Sequence, residues 1–433
     1  MYRQAISELD KWKNKPDRIP LVIRGARQVG KTWLMKEFGR TRYPQTAYIN
    51  FEGNNNMQRL FSGDFDIKRI IGGLNIEAEC SIEPDNTLII FDEVQEVPNA
   101  LTSLKYFQEN APEYDIIAAG SQLGVALHPG TSFPVGKVTF LDLYPLTFFE
   151  FMQAMGKSQY LEILIKQDWD LIVSFKSRYV ELLKQYIFTG GMPEVVAAFS
   201  KSHDYLEARN IQERILLAYE QDFSKHAPNN IVPRIRMLWN SIPSQLSREN
   251  RKFMYGLIRK GARAREYEMA MMWLNDSGLI HKVNRITKPG IPLKAYEDSS
   301  AFKLYILDTG LLSALSGLGP KAILEGNRIF DEFKGALTEQ YVLQQLNCFK
   351  GLNIFYWSAE VGTSEVDFII QIGETIRPVE VKSSENLRAK SLKVYKEKFN
   401  PEVSIRTSMS DYRKEEWLVN IPLYAIQGID GHL

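Results

Sequence analysis

An α/β architecture, with a parallel sheet near the N-terminus and a second α/β fold at the C-terminus, follows from three features of the 433-residue chain. The apolar run Pro20-Leu21-Val22-Ile23 passes directly into a glycine-bearing stretch, Gly25 to Thr32, and then into a helix-type run from Trp33. Leu88-Ile89-Ile90-Phe91 is continuously apolar and ends in Asp92-Glu93, the pattern of a strand covered on both faces in a parallel sheet. The C-terminal part alternates a helix, three short strands, a second helix and a fourth strand.

Gly25-Ala26-Arg27-Gln28-Val29-Gly30-Lys31-Thr32 satisfies G-x-x-x-x-G-K-[ST] between a strand and a helix, the context of a phosphate-binding loop. The glycines let the backbone curl until successive N–H groups converge, and the following helix adds the positive end of its dipole. Such a loop predicts a P-loop NTPase core, with Lys31 on the β- and γ-phosphates and the Thr32 hydroxyl on Mg²⁺. Asp92 is placed to hold the water shell of that ion, and Glu93 to polarise the attacking water. Asp115–Gly120 reads as another buried strand; Ser121, which ends it, is either a sensor of the γ-phosphate or a turn serine. Asn14-Lys15-Pro16-Asp17 matches the guanine-reading N-K-x-D, but it ends a helix ahead of the loop and Pro16 favours a turn, so ATP is the expected nucleotide.

The length exceeds one core and suggests about three domains. A net charge of +1 excludes a polycation, so any nucleic-acid surface is a local patch. Cys80 and Cys348 lie far apart and outside metal-ligand spacing; with no secretory signal and no apolar run of membrane-spanning length, a cytoplasmic protein without membrane contact is expected.

Along the chain, residues 1–18 form an amphipathic helix with Ile6, Leu9 and Trp12 on one face, and Thr46–Phe51 forms a second strand. Lys137–Leu143 is a fifth strand leading into a helix at Pro145–Phe151. Residues 152–223 are helical in pattern, broken at Gly190-Gly191-Met192-Pro193, and read as a lid over the nucleotide. Ser224–Pro233 has linker composition. Arg248–Arg265 carries seven Lys/Arg against one acid, then runs into a helix, a Gly278 stop and a strand, a winged-helix pattern that suggests DNA contact. A solvated basic helix is the alternative. Met269, Met272 and Trp273 read as core.

Near the C-terminus a helix at Gly335–Leu346 contains Glu339, and strands follow at Asn353–Trp357, Glu365–Ile372 and Thr375–Lys382. A Gly373-Glu374 turn puts Asp367 opposite Glu380, with Lys382 on the same face; Pro378 could disturb the register. Two carboxylates and a lysine suit metal-assisted phosphodiester hydrolysis, with Asp367, Glu380 and a third acid, Glu339, on Mg²⁺ or Mn²⁺. The alternative is a surface hairpin with an ion pair.

With these residues identified, the chain resembles a family of bacterial and archaeal AAA-type ATPases whose C-terminal domain of unknown function is of the PD-(D/E)xK nuclease-like superfamily. The resemblance rests on GARQVGKT, IIFDEVQ, the strand ending in Gly120-Ser121, PLTFFEF, GGMPEVV, KLYILDTGLL and EVDFII…VEVK, in that order. It implies an ATPase core (1–151), a helical lid (152–225), a winged-helix segment (226–325) and a restriction-endonuclease-like domain (326–433), with DNA as partner and self-assembly into a homo-oligomer left open. It also implies an arginine where this chain has Lys137, which keeps the charge but not the bidentate fork. The expectation is an ATP-hydrolysing protein coupled to a DNA-associated, nuclease-like domain; the alternative is a nucleotide-gated switch that grips DNA or a protein without cutting.

Overall fold

The structure, a computed structural model, describes residues 1–120, 136–248, 251–324, 331–360, 362–385 and 389–432. They form two compact units: Tyr2–Tyr144 with Asp276–Leu279, and Pro145–Asn275 with Ile280–Leu433 and Met1.

The first unit is built on five strands: β1 (Leu21–Arg24), β2 (Gln45–Asn50), β3 (Thr87–Asp92), β4 (Asp115–Ala119) and β5 (Thr139–Asp142). All pairings are parallel, in the order β2-β3-β4-β1-β5. Every residue of β3 and β4 is buried, as their unbroken apolar sequence requires when helices cover both faces. The N-terminal helix is shorter than the 18 residues expected, running Ala5–Lys13 with Leu9 and Trp12 buried. The N-K-x-D stretch beyond it is a turn in which Lys15 pairs with Asp17 at 3.6 Å.

The second unit opens with seven helices between Phe148 and Leu246, broken at Gly190–Met192 as expected. The linker expected at Ser224–Pro233 is half helical: one helix runs Tyr205–His226, residues 227–231 connect, and the next helix, Val232–Leu246, carries Pro233 in its first turn. There the missing N–H has no intrahelical partner to lose. The same unit holds an eight-stranded sheet, from β6 (Ile280–Ile286), β7 (Glu297–Ile306), β8 (Asn353–Ser358), β9 (Glu365–Ile372), β10 (Thr375–Val381), β11 (Ser404–Ser408), β12 (Arg413–Lys414) and β13 (Leu418–Pro422). Its order is β12-β13-β11-β10-β9-β8-β6-β7.

Two expectations change here. The strand read into the winged-helix pattern, β6, lies with β7 at the edge of this C-terminal sheet, because β6 pairs in parallel with β8 through Arg285 and Ile286. The helix before them, Ala264–Asp276, buries Tyr267, Ala270, Met271, Trp273 and Leu274, while Met269 and Met272 are 58% and 53% exposed. The helical period places those two methionines on the outer face. By contrast, the β9–β10 hairpin keeps the register read from its turn, from Thr375 opposite Ile372 to Val379 opposite Phe368. Pro378 causes no shift; β11 pairs with β10 only from Val379 onward, so the missing N–H is not called on by that ladder.

Candidate functional site

In the first unit the sequence Gly25–Thr32 forms a loop from the end of β1 into the helix Lys31–Arg42. Gly25 (φ +154°) is enforced by space as well as dihedral: a Cβ there would stand 2.3 Å from the Leu143 carbonyl oxygen. Gln28 and Gly30 also have positive φ, so the loop curls back on itself. Arg3, buried, donates to the Val29 carbonyl at 3.0 Å and to the Tyr144 carbonyl at 2.6 Å, bracing the loop from outside. Sequence reading did not single out Arg3, since nothing local marks an arginine near the N-terminus.

Lys31 is 6% exposed and donates to the carbonyls of Gly25 (2.9 Å) and Ala26 (2.8 Å). Burial lowers its pKa to about 8, against the opposing pull of Glu93 and Asp92. Its ammonium is thus held over the loop with neutral partners, in need of an anion. The Thr32 hydroxyl donates to Asp92 Oδ2 at 2.6 Å, and the Tyr48 hydroxyl reaches the same oxygen at 3.0 Å. Burial and Asp92 both raise the Tyr48 pKa, keeping it a donor. Glu93 follows in the left-handed region (φ 51°), uncommon for a non-glycine residue, and Gln95 Nε2 holds its Oε2 at 2.7 Å. Thr32 and Asp92 provide the hydroxyl and carboxylate that Mg²⁺ with nucleotide phosphates uses, so the residues fit that ion.

One expected participant, Lys137, falls elsewhere. Ser121 lies outside the described residues. Lys137 precedes β5, at the N-terminal end of the strands, whereas the loop follows the C-terminal end of β1; it pairs instead with Glu109 at 3.1 Å. The parallel register of β1 and β5 therefore separates Lys137 from the loop by the length of a strand. The turn Asp276–Leu279 belongs to this unit, and a Cβ on Gly278 (φ +73°) would lie 3.3 Å from the Ala26 amide nitrogen.

The second unit contains a cleft of about 680 Å³ at the β9–β10 hairpin. Asp367, Glu380 and Lys382 all line it, together with Glu339 and Glu365. Lys382 pairs with Glu380 at 2.8 Å, and Asp367 Oδ2 accepts from the Val381 amide at 2.7 Å. Two cations that the sequence reading did not select dominate the floor. Lys303 of β7, wholly buried, lies 2.5 Å from Glu365, 3.5 Å from Glu339 and 3.9 Å from Asp367. Arg251 pairs with Glu339, and the Tyr305 hydroxyl donates to the same carboxylate at 3.0 Å.

The electrostatics follow from this crowding. Burial and the neighbouring Glu339 push the Asp367 pKa well up. Burial opposes ionisation of Glu339 too, but Arg251 and Lys303 outweigh it and keep that group low. Lys303 stays charged: burial lowers its pKa, and Glu339, Tyr305, Glu365 and Asp367 together raise it further.

These residues do not fit the divalent ion expected on Glu339, Asp367 and Glu380. An ammonium already lies among the carboxylates, and among the described residues no group of three or more His, Cys, Asp or Glu is arranged to hold a metal. The signal that could have pointed to Lys303 is a lysine inside the otherwise apolar strand run Phe302–Leu307, where a charge needs a partner.

Fold and loop together define an AAA-type P-loop domain, and residues 17–152 match the AAA domain family. Residues 180–322 and 334–426 match two domains of unknown function (DUF8612 and DUF4143). The search of curated proteins gives no match. Among solved structures, the Walker-type ATPase PABY2304 of Pyrococcus abyssi is 14% identical, with 72% of this chain and 95% of that one covered at a TM-score of 0.46. The Orc1 protein of Aeropyrum pernix in complex with DNA is 11% identical, covering 73% and 93% at 0.29. The protein VC1899 of Vibrio cholerae is 10% identical, covering 95% and 96% at 0.18. Among the described residues, no helix is long and apolar enough to cross a membrane.

Proposed function

We propose that the chain binds and hydrolyses ATP at Gly25–Thr32, and that nucleotide occupancy governs a DNA-associated C-terminal unit that grips its partner without cutting it. The observation that carries the first half is the Thr32–Asp92 hydrogen bond of 2.6 Å, with Glu93 next in the chain and held by Gln95. Thr32 and Asp92 would hold the magnesium ion that neutralises phosphate charge. Lys31 is placed to leave the Gly25 and Ala26 carbonyls for the phosphate oxygens, and Glu93 to orient and polarise a water for attack on the γ-phosphate. Support for control by nucleotide comes from chain connectivity: Gly278, against Ala26 of the loop, lies between the helix Ala264–Asp276 and β6.

The binding reading is favoured over cleavage by Lys303 among Glu339, Glu365 and Asp367, where it supplies the positive charge that a catalytic metal would otherwise bring. ATP hydrolysis by wild type, Lys31→Ala and Glu93→Gln protein tests the first half; equal rates in all three would sink it. Stimulation of the wild-type rate by added DNA tests the second, and a rate indifferent to every form of DNA would count against it.

A further inference from the structure

The cleft in the second unit has a charge balance opposite to that of a metal site. Among the described residues, five basic side chains line it against four carboxylates, and Lys303 beneath them adds a sixth cation. The inner cations are committed: Arg251 to Glu339, Lys303 to Glu365 and its neighbours, Lys382 to Glu380 and Arg285 to Asp298 at 2.5 Å. Arg248 and Lys252, at the rim, have no ion-pair partner among the described residues. Hydroxyls of Ser358, Thr363, Ser364 and Ser383 complete the wall.

Four bare carboxylates would repel an anion, which is why a site of this shape normally needs a divalent ion before it can accept a phosphate. Here Lys303 and Arg251 cancel that repulsion from within the protein. The rim then offers guanidinium, ammonium and hydroxyl donors, the set that phosphate oxygens accept from. One further atom narrows the ligand. Glu380 Oε2 is buried and has no hydrogen-bond partner, while Glu380 itself lines the cleft. An acceptor beside a phosphate subsite can be satisfied by a sugar hydroxyl or a base amino group, but not by a second phosphate oxygen.

We propose that Lys303 is the resident cation of this cleft, standing among Glu339, Glu365 and Asp367 where a divalent ion would otherwise be required. The cleft then binds the phosphodiester of a nucleic-acid strand without metal and leaves it uncut. This deepens the DNA-associated reading above and rests on it. It differs from metal-dependent cleavage in what it needs: no divalent ion, no activated water, and only charge and hydroxyl contacts.

The test is binding of a fluorescent single-stranded oligonucleotide to the full chain, in EDTA and without ATP, followed by anisotropy over a salt series. Binding in EDTA should match binding in Mn²⁺ to within about twofold, with the oligonucleotide intact. Charge reversal at the exposed rim, Arg248→Glu with Lys252→Glu, should weaken binding at least about tenfold and flatten the salt slope by roughly one to two units. Inorganic phosphate should compete only at far higher concentration than a dinucleotide; equal competition by phosphate alone would remove the role given to Glu380 and overturn the nucleic-acid assignment. Lys303→Met paired with Glu365→Gln, which removes one charge of each sign, should fold and acquire Mn²⁺ dependence. A requirement for Mn²⁺ in wild type, cleavage of the strand, or indifference to rim reversal would overturn the inference. So would capture of an acidic peptide in place of the strand. Wild-type ATP hydrolysis measured without oligonucleotide reports on the first unit alone, so loss of strand binding with intact hydrolysis counts against this inference and not against the ATPase.

Discussion

The pH dependence of nucleotide affinity is the sharpest consequence of the loop geometry. Lys31 is buried with two carbonyl partners and no contacting carboxylate, and its pKa falls from an ordinary 10.5 to about 8. Folding with this ammonium charged therefore costs about 3 kcal/mol, at 1.36 kcal/mol per pKa unit. The sign follows from proton counting. Between pH 8 and 10.5 the unfolded chain holds a proton on Lys31 that the folded chain has lost, so the cost is full below pH 8 and fades as pH rises through that window. Phosphate oxygens replace the carbonyls with true counter-charges and reverse the shift, so ATP binds the protonated form. With a pKa of about 8, the charged fraction falls from roughly nine-tenths at pH 7 to roughly one-tenth at pH 9. ATP affinity should then fall roughly tenfold over the same span, at saturating Mg²⁺ and constant ionic strength. Calorimetric titration at several pH values measures it, with Lys31→Met as the pH-independent control. An affinity flat from pH 7 to 9 in wild type, or an equal slope in Lys31→Met, would refute the assignment of Lys31 as the phosphate cation.

Two further predictions concern the second unit. Lys303→Met leaves buried carboxylates without their ammonium and should lower the denaturant midpoint of that unit by the equivalent of about 3–5 kcal/mol, with much of the loss recovered when Glu365→Gln is added; a purely additive double variant would show that the pair is not coupled. Gly191→Ala would place a Cβ 2.1 Å from the Leu146 carbonyl oxygen and disturb the 2.6 Å bond from its amide to Asp308, so a loss of about 2 kcal/mol or more is expected by thermal unfolding, and an unchanged midpoint would show that the backbone there can yield.

Asp308 also shows why certain sequence stretches were informative without being catalytic. Fully buried, it caps the helix Thr309–Leu315 through Leu311 N (3.0 Å) and accepts from Gln344 Nε2 (2.9 Å) as well as from Gly191. Gly190 is tied to it by space, since a Cβ there would stand 2.0 Å from Asp308 Oδ1. The stretches GGMPEVV and LDTGLL, picked out as motifs, are thus two halves of one packing joint.

What the sequence determined by itself is local in its physics. The phosphate loop, the strand ending in Asp92-Glu93 and the hairpin register from Ile372–Thr375 to Phe368–Val379 all follow from residues within a single turn, strand or hairpin, where dihedral limits and a period of two leave little freedom. Tertiary structure decided what those residues meet. β6 and β7 pair at the far edge of the C-terminal sheet, and only this fold brings Lys303, 64 residues before Asp367, into the acidic cluster that the hairpin had been expected to offer to a metal. The strand periodicity of Phe302–Leu307 could show that Lys303 was buried; it could not show that its partners were Glu339, Glu365 and Asp367. A charge in an apolar strand requires compensation, but the identity of the compensating group is a long-range contact, and that contact changes the cleft from one that would hold a metal to one that carries its own cation.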